Sequence, residues 1–384
     1  MRWRRAGQQD KLANMLRPCR YLCATLLLGV SVLAGCAVQQ QAVRPQPSPN
    51  EVRAQIVSLM PASTTDRAGW AVDIYAAFAV LKIDPTPSNL CSVLAITEQE
   101  STYRADPSVP GLAKIAWSEI DRKAERAGIP KLLVHGALQL KSSTGISFSD
   151  RIDAAKTEKQ LSDVFQDFIG MVPLGDRMFG GYNPVRTGGP MQVGISFAER
   201  HVKEKSYPYP INGSIRDEIF TRRGGLYFGI AHLLDYPARY DQAVYRYADF
   251  NAGHYASRNA AFQQAVSTAS GIPLELDGDL VREGGGTEKP GQTELAIRSL
   301  GSRLGIGDSA IRRALEKGDT LDFEQTDLYR RIFELAEQLD RRDLPRAMIP
   351  RIKLSSPKIT RQLTTEWFAR RVEERQRRCL GRDG

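Results

Sequence analysis

Apolar residues recur at helical rather than strand spacing along most of this chain, and that periodicity restricts it to a mostly α fold. Trp70, Ile74, Ala77, Phe78 and Leu81 share one helix face. Thr86-Pro87 reads as a helix start, with proline in the first turn, and Leu90, Val93, Leu94 and Thr97 continue that stripe. Leu226, Ile230, Leu233 and Leu234 mark a further helix, closed by Asp235-Tyr236-Pro237, and Tyr240, Val244 and Tyr247 mark another. Leu328, Ile332, Leu335, Ala336 and Leu339 form one more. Ser356-Pro357 is expected to cap a last helix, with Ile359, Leu363 and Trp367 on one face and a charged, solvated tail over residues 370–378. Residues 271–291 hold Gly284-Gly285-Gly286 and Pro290-Gly291 and read as a loop or hinge. Alternating runs are few and there are no internal repeats.

The amino end is expected to lie outside this fold. Arg2, Arg4, Arg5, Arg17 and Arg20 precede an apolar, uncharged stretch at residues 21–33, which is long enough for a signal-peptide core and too short to span a bilayer. Met15 offers a second start with an adequate basic lead. Leu33-Ala34-Gly35-Cys36 follows and resembles the bacterial lipobox. The resemblance implies export, cleavage before Cys36, and a diacylglycerol thioether with palmitate-type acyl chains on that cysteine; the alternative is a plain secretory signal. Ala37 stands where an Asp would mark inner-membrane retention, so the expected destination is the outer membrane, facing the periplasm or the surface. Several acyl chains are what stable anchoring needs. No other stretch reaches about 18 apolar residues. Residues 38–50, rich in Gln and Pro, read as an extended tether.

Charge and cysteines narrow the function classes. Of the +9 formal charge, Arg2, Arg4, Arg5, Lys11, Arg17 and Arg20 against Asp10 place +5 on residues 1–35 and leave +4 on the rest. That mild excess suits an anionic wall polymer or lipid headgroup and gives no nucleic-acid signature. Cys19 and Cys23 leave with the leader, so Cys91 and Cys379 remain in an oxidising compartment. They are expected to pair, tying the carboxyl end to the core; the alternative is one buried and one exposed thiol. His135, His201, His232 and His254 form no close metal-binding pair, and neither a nucleophile elbow nor a phosphate loop is present, so no metal or cofactor is expected.

Three short segments carry the chemistry. They are Glu98-Gln99-Glu100-Ser101-Thr102-Tyr103, then Gly188-Gly189-Pro190-Met191-Gln192-Val193, then Tyr247-Ala248-Asp249-Phe250-Asn251-Ala252-Gly253. In this order they resemble the motifs of the lysozyme-like lytic transglycosylases: Glu-Ser, Gly-Leu-Met-Gln and Ala-Tyr-Asn-Ala-Gly. Arg223-Gly224-Gly225-Leu226-Tyr227-Phe228-Gly229-Ile230-Ala231 is similar to the small-residue helix those proteins carry between the second and third motifs. The layout, leader included, also resembles the YaiW-type outer-membrane lipoproteins, a family defined mostly as a domain of unknown function.

The resemblance implies a single-carboxylate mechanism at Glu100. The acid protonates the bridging oxygen between N-acetylmuramic acid and N-acetylglucosamine. The resulting base then helps the sugar's 6-hydroxyl close a 1,6-anhydro ring. Such an acid must hold its proton near neutral pH, which burial favours. Glu98 is two residues earlier and points about 200° away, so it cannot share the site. The resemblance gives Ser101, Met191, Gln192, Phe250 and Asn251 substrate-binding roles: Ser101 positions Glu100 or the substrate, Met191 and Gln192 line the cleft, and Asn251 bonds the acetamido region or the Glu. The alternatives are polar punctuation, a turn and a helix-end amide. Tyr103, Trp117, Tyr182, Tyr236, Tyr240, Tyr247 and Tyr255 offer sugar-stacking faces or ordinary core aromatics. Pro190, Asp249 and Phe250 replace the family's Leu, Ala and Tyr.

Glu100 and Gly189 stand 89 positions apart, which predicts a helical insertion at about residues 114–181. The expected layout is a signal peptide (1–35), lipidated Cys36 and tether (36–50), a lysozyme-like domain (51–270), a loop (271–291) and a helical C-terminal extension (292–384). The expected partners are peptidoglycan and, through the lipid, a membrane; an envelope protein partner is the third. The alternative function is a non-catalytic lysozyme-like lipoprotein that binds glycan, peptide or such a partner.

Overall fold

The computed structural model describes residues 47–171, 174, 177, 180, 183–282, 289–354 and 362–382. The leader, Cys36, nearly all of the tether, Tyr182, Ser356, Pro357 and Ile359 lie outside the described residues. Helix α1 (Pro49–Leu59) starts two residues inside the expected tether and buries Val52, Ile56 and Leu59. In α2 (Arg67–Leu81) the expected stripe Trp70, Ile74, Ala77 and Phe78 is buried. Helix α3 (Pro87–Ser101) begins as the sequence predicts, with the Asn89 amide donating to Thr86 Oγ1 at 3.2 Å. From Leu90 to Thr97 it is buried on every side, as a central helix must be.

Helices α4 (Leu112–Arg126), α5 (Lys131–Leu138), α6 (Phe148–Ala154) and α7 (Glu158–Gly170) occupy the expected insertion. They are no separate lobe: Leu112, Ala116, Phe148, Ile152, Leu161 and Val164 join the same apolar cluster as α2 and α3. A two-residue hairpin follows, β1 (Thr187–Gly188) against β2 (Val193–Gly194), antiparallel. Then come α8 (Ile195–Glu204), α9 (Ile215–Ile219), α10 (Arg222–Leu234), α11 (Ala243–Ala252) and α12 (Ala256–Ser270). Beyond Gly284-Gly285-Gly286, which lie outside the described residues, come α13 (Gln292–Arg298), α14 (Gly301–Leu304), α15 (Asp308–Leu315), a 3-10 turn (Leu321–Gln325) and α16 (Asp327–Asp340). A second small hairpin, β3 (Lys353–Leu354) with β4 (Leu363–Thr364), leads into α17 (Thr365–Leu380).

Two apolar cores organise these elements within one compact unit, residues 49–384. The first gathers α1 to α11 and α17. The second forms around Phe262, Phe323, Ile332 and Phe333. Its first helix is α12, through Phe262, Ala265, Val266 and Ala269, so the expected boundary at residue 270 falls one helix late.

The C-terminal region is also not a simple extension. Only its first part builds the second core, because α17 returns to the first and packs on α3 and α11. This helix starts at Thr365, with the Trp367 amide donating to Thr364 Oγ1, rather than at Ser356-Pro357. Leu363 belongs to β4 and Trp367 is 39% exposed, so neither forms the expected face. The buried residues are instead Phe368, Ala369, Val372, Gln376 and Cys379, three or four apart and hidden among Arg and Glu. The tail expected to be solvated is therefore one side of a helix interface. Cys379 on it forms a disulfide with Cys91 on α3, Cα atoms 5.5 Å apart.

Candidate functional site

The first motif ends α3. Thr102 and Tyr103 both adopt left-handed backbone (φ 51° and 57°) and turn the chain sharply after Ser101. Tyr103 anchors this turn: its hydroxyl donates to Leu94 O at 3.1 Å and its ring meets Trp70 edge-on. Ser101 is buried; its hydroxyl donates to Thr97 O and accepts from the Arg104 amide, a role internal to the turn. Glu98 faces α17, 3.5 Å from Arg375 and 3.6 Å from Arg378. Glu100, about 200° around the helix from it, is half-buried. Between them, Gln99 Oε1 is buried with no hydrogen-bond donor among the described residues.

The second motif forms the tip of the first hairpin. Gly189 needs its positive φ (75°), and a Cβ there would lie 2.1 Å from Ile219 O. The hairpin reaches so close to α10 because that helix presents glycines: a Cβ on Gly225 would meet Pro190 Cδ at 2.3 Å, and one on Gly229 would meet Met191 Sδ at 2.5 Å. Met191 is consequently fully buried, a core residue rather than the expected cleft wall. Gln192 is half-buried; its Nε2 donates to Gly189 O and its Oε1 accepts from Thr187 Oγ1, which braces the tip.

The third motif lies on α11. Phe250 packs on His232 of α10, ring centroids 5.1 Å apart. Asn251 is exposed, and its Oδ1 accepts from Thr365 Oγ1 at 2.8 Å. The three segments are thus fastened to one core. Ser92 on α3 and Tyr247 on α11 share a hydrogen bond of 2.9 Å, and α10 touches the hairpin and α11. The amides of Gln192 and Asn251 bond separate partners and are not joined to each other.

Sequence reasoning misses two groups here. Asp249 is fully buried and accepts four hydrogen bonds, from the Tyr236 and Tyr240 hydroxyls and from the amides of Tyr255 and Ser257 at the start of α12. Burial pushes its carboxyl above the usual range, against the pull of those donors. The signal in the sequence is an Asp where the resembled transglycosylase motif has Ala. The second group is a stack in which His232 meets His254 at 4.5 Å and His254 meets Tyr236 at 4.1 Å, with Phe197 against both histidines. Burial, with a smaller contribution from His254, takes the His232 pKa down to about 3, and its Nδ1 has no partner among the described residues.

Of the candidate stacking aromatics, Tyr103, Tyr236, Tyr247 and Tyr255 are core. Trp117 and Tyr240 remain half-exposed; the Trp117 indole donates to Asp153 and its ring packs on His135. Among the described residues no group of three or more His, Cys, Asp or Glu could hold a metal, and no helix is long and apolar enough to cross a membrane.

The fold and site define a mostly helical protein in which a glycine-bearing helix supports a short hairpin beside a buried central helix. A family model described as "Protein of unknown function (DUF1615)" matches residues 63–382, and the chain belongs to that family. It is 56% identical over 360 residues to a protein of Escherichia coli (strain K12) described as "Uncharacterized protein YaiW", an alignment covering 94% of this chain and 98% of that protein. No solved structure matches it.

Proposed function

We propose that this chain is an outer-membrane lipoprotein, anchored through Cys36, whose lysozyme-like core cleaves peptidoglycan glycan strands with Glu100 as the single acid and base. The observation that carries the reading is the hairpin Gly188-Gly189-Pro190-Met191-Gln192-Val193 seated on the glycines of α10, with the Glu100-Ser101 helix end and the Phe250-Asn251 helix end built into the same core. The motif order supplies the rest. In this mechanism Glu100 gives its proton to the glycosidic oxygen as the bond to the muramic carbon breaks. The carboxylate left behind takes the proton of the 6-hydroxyl as that oxygen closes on the same carbon, so proton and bond counts balance without water. No metal or cofactor takes part.

A non-catalytic binding role is the second reading. It is favoured by the burial of Met191, the use of the Asn251 carbonyl by Thr365, and Phe250 in place of a tyrosine. The test incubates the full chain in mild detergent with purified peptidoglycan and reads the ends by mass spectrometry. New 1,6-anhydro ends support cleavage. Co-sedimentation with intact peptidoglycan and no new ends supports binding. Acyl labelling that disappears in Cys36→Ala tests the anchor.

A further inference from the structure

A cavity lies between the two cores, walled by Tyr245 of the first and Tyr329 of the second, and a further cavity adjoins it on the first core. The two measure about 530 and 420 Å³; Tyr245 is a wall of both, and the consecutive residues Ala347 and Met348 line one each. They adjoin as one groove at the start of α11, beside Val244 and Tyr245, and along the segment 345–353. Six cationic side chains line it, Arg239, Arg258 and Arg346 in the first cavity, Arg351, Lys353 and Arg370 in the second. Three carboxylates are interspersed, Asp241, Glu324 and Glu366.

These charges divide into fixed and available. Arg258 is 1% exposed, with its guanidinium held by the carbonyls of Gly318 and Thr320 and with Glu324 at 3.7 Å. Arg346 pairs with Glu337, and Arg370 with Glu373 and Glu366. Arg239, Arg351 and Lys353 are exposed and make no ion pair among the described residues. Tyr245, shared by both cavities, has its ring 5.7 Å from that of Tyr240, which lines the first.

A compact anion such as phosphate needs cations that converge on one point, whereas these are divided between two adjoining cavities. Excess cations with interspersed carboxylates suit an extended ligand that carries several carboxylates and an ammonium, and tyrosine faces suit its apolar parts. We infer that the groove holds the acidic peptide branch of a wall muropeptide. The choice of ligand rests on the wall-glycan reading above, but the site does not depend on Glu100 chemistry.

The experiment titrates the full chain in detergent with purified disaccharide tetrapeptide, and separately with the peptide-free disaccharide, by calorimetry. The variant is Arg239→Glu/Arg351→Glu, both exposed and outside the glycan site, with Arg239→Gln/Arg351→Gln as its milder form. The muropeptide should bind the Glu double variant at least about tenfold more weakly and the Gln form by an intermediate amount. The peptide-free disaccharide should not distinguish them. Equal muropeptide binding by wild type and the Glu variant overturns the site, as does equal binding of both ligands by wild type, or no binding at millimolar muropeptide. Failure of the glycan-cleavage reading looks different: muropeptide binding that needs the two arginines, with no anhydro ends produced, keeps the groove and removes the cleavage.

Discussion

Replacing Cys91 and Cys379 together by alanine should lower stability about as much as truncating the largest buried side chain of α17, Phe368. The bond joins residues 288 apart in sequence, so it closes nearly the whole folded region into one loop. For a loop of that size the chain-entropy relation gives about 5 to 6 kcal/mol at 25 °C, and cross-links commonly deliver about 2 to 4. The two sulfurs are also buried, so their removal adds a small packing loss. We therefore expect a loss of about 3 to 5 kcal/mol. The assay is urea unfolding of the oxidised full chain and the double variant at neutral pH. The variant should also show a steeper denaturant slope, because its unfolded chain is no longer cross-linked and exposes more surface. A loss below about 1 kcal/mol, or alkylation of both cysteines in the unreduced, unfolded protein, refutes the reasoning.

Gly225→Ala should destabilise by about 2 kcal/mol despite better helix propensity, because its new methyl meets Pro190 and the Ile219 carbonyl; Gly229→Ala should lose less, since the flexible Met191 side chain can yield, and thermal melts would rank the two. His232 is held neutral by burial, with a pKa near 3 against 6.5 unfolded, so the unfolded state binds more protons between those values. Its contribution is complete above pH 6.5 and is lost as pH falls toward 3, on the order of 2 kcal/mol by pH 4.5; His232→Gln should flatten that part of the urea-midpoint profile, and an unchanged profile contradicts the assignment. Asp249→Ala leaves two tyrosine hydroxyls and two amides without their acceptor, and should cost about 3 kcal/mol or more by the same unfolding assay.

Helix spacing makes much of both cores legible. The stripes in α2, α3 and α10 are buried largely as the sequence predicts, and Thr86 caps α3 as expected; in α16 Leu328, Ile332 and Ala336 are buried, but Leu339 is exposed and Tyr329 and Phe333 complete the face instead. What escaped was long-range. Arg and Glu dominate α17, so its period of buried residues is masked, and only the tertiary partner α3 reveals which face is inside. The domain boundary expected at residue 270 overlooks α12, whose apolar residues Phe262, Ala265, Val266 and Ala269 serve the second core. Within the site, Glu100 could be separated from Glu98 by helix geometry alone, and the structure turns Glu98 toward Arg375 and Arg378. Met191 could not be assigned in this way. Its burial depends on a missing Cβ at Gly229, some forty residues later in the chain, a fact about packing rather than about the motif.

The most direct test of the account compares wild type, Glu100→Gln and Glu98→Gln for release of 1,6-anhydro-ended fragments from purified peptidoglycan. Loss of a positioned acid and base typically lowers a rate by about 10²- to 10⁴-fold. The account predicts a loss of that size for Glu100→Gln and near wild-type release for Glu98→Gln, whose partly exposed ion pairs contribute about 1 kcal/mol or less to stability. Equal product from wild type and Glu100→Gln, or no anhydro ends from any of the three, contradicts it.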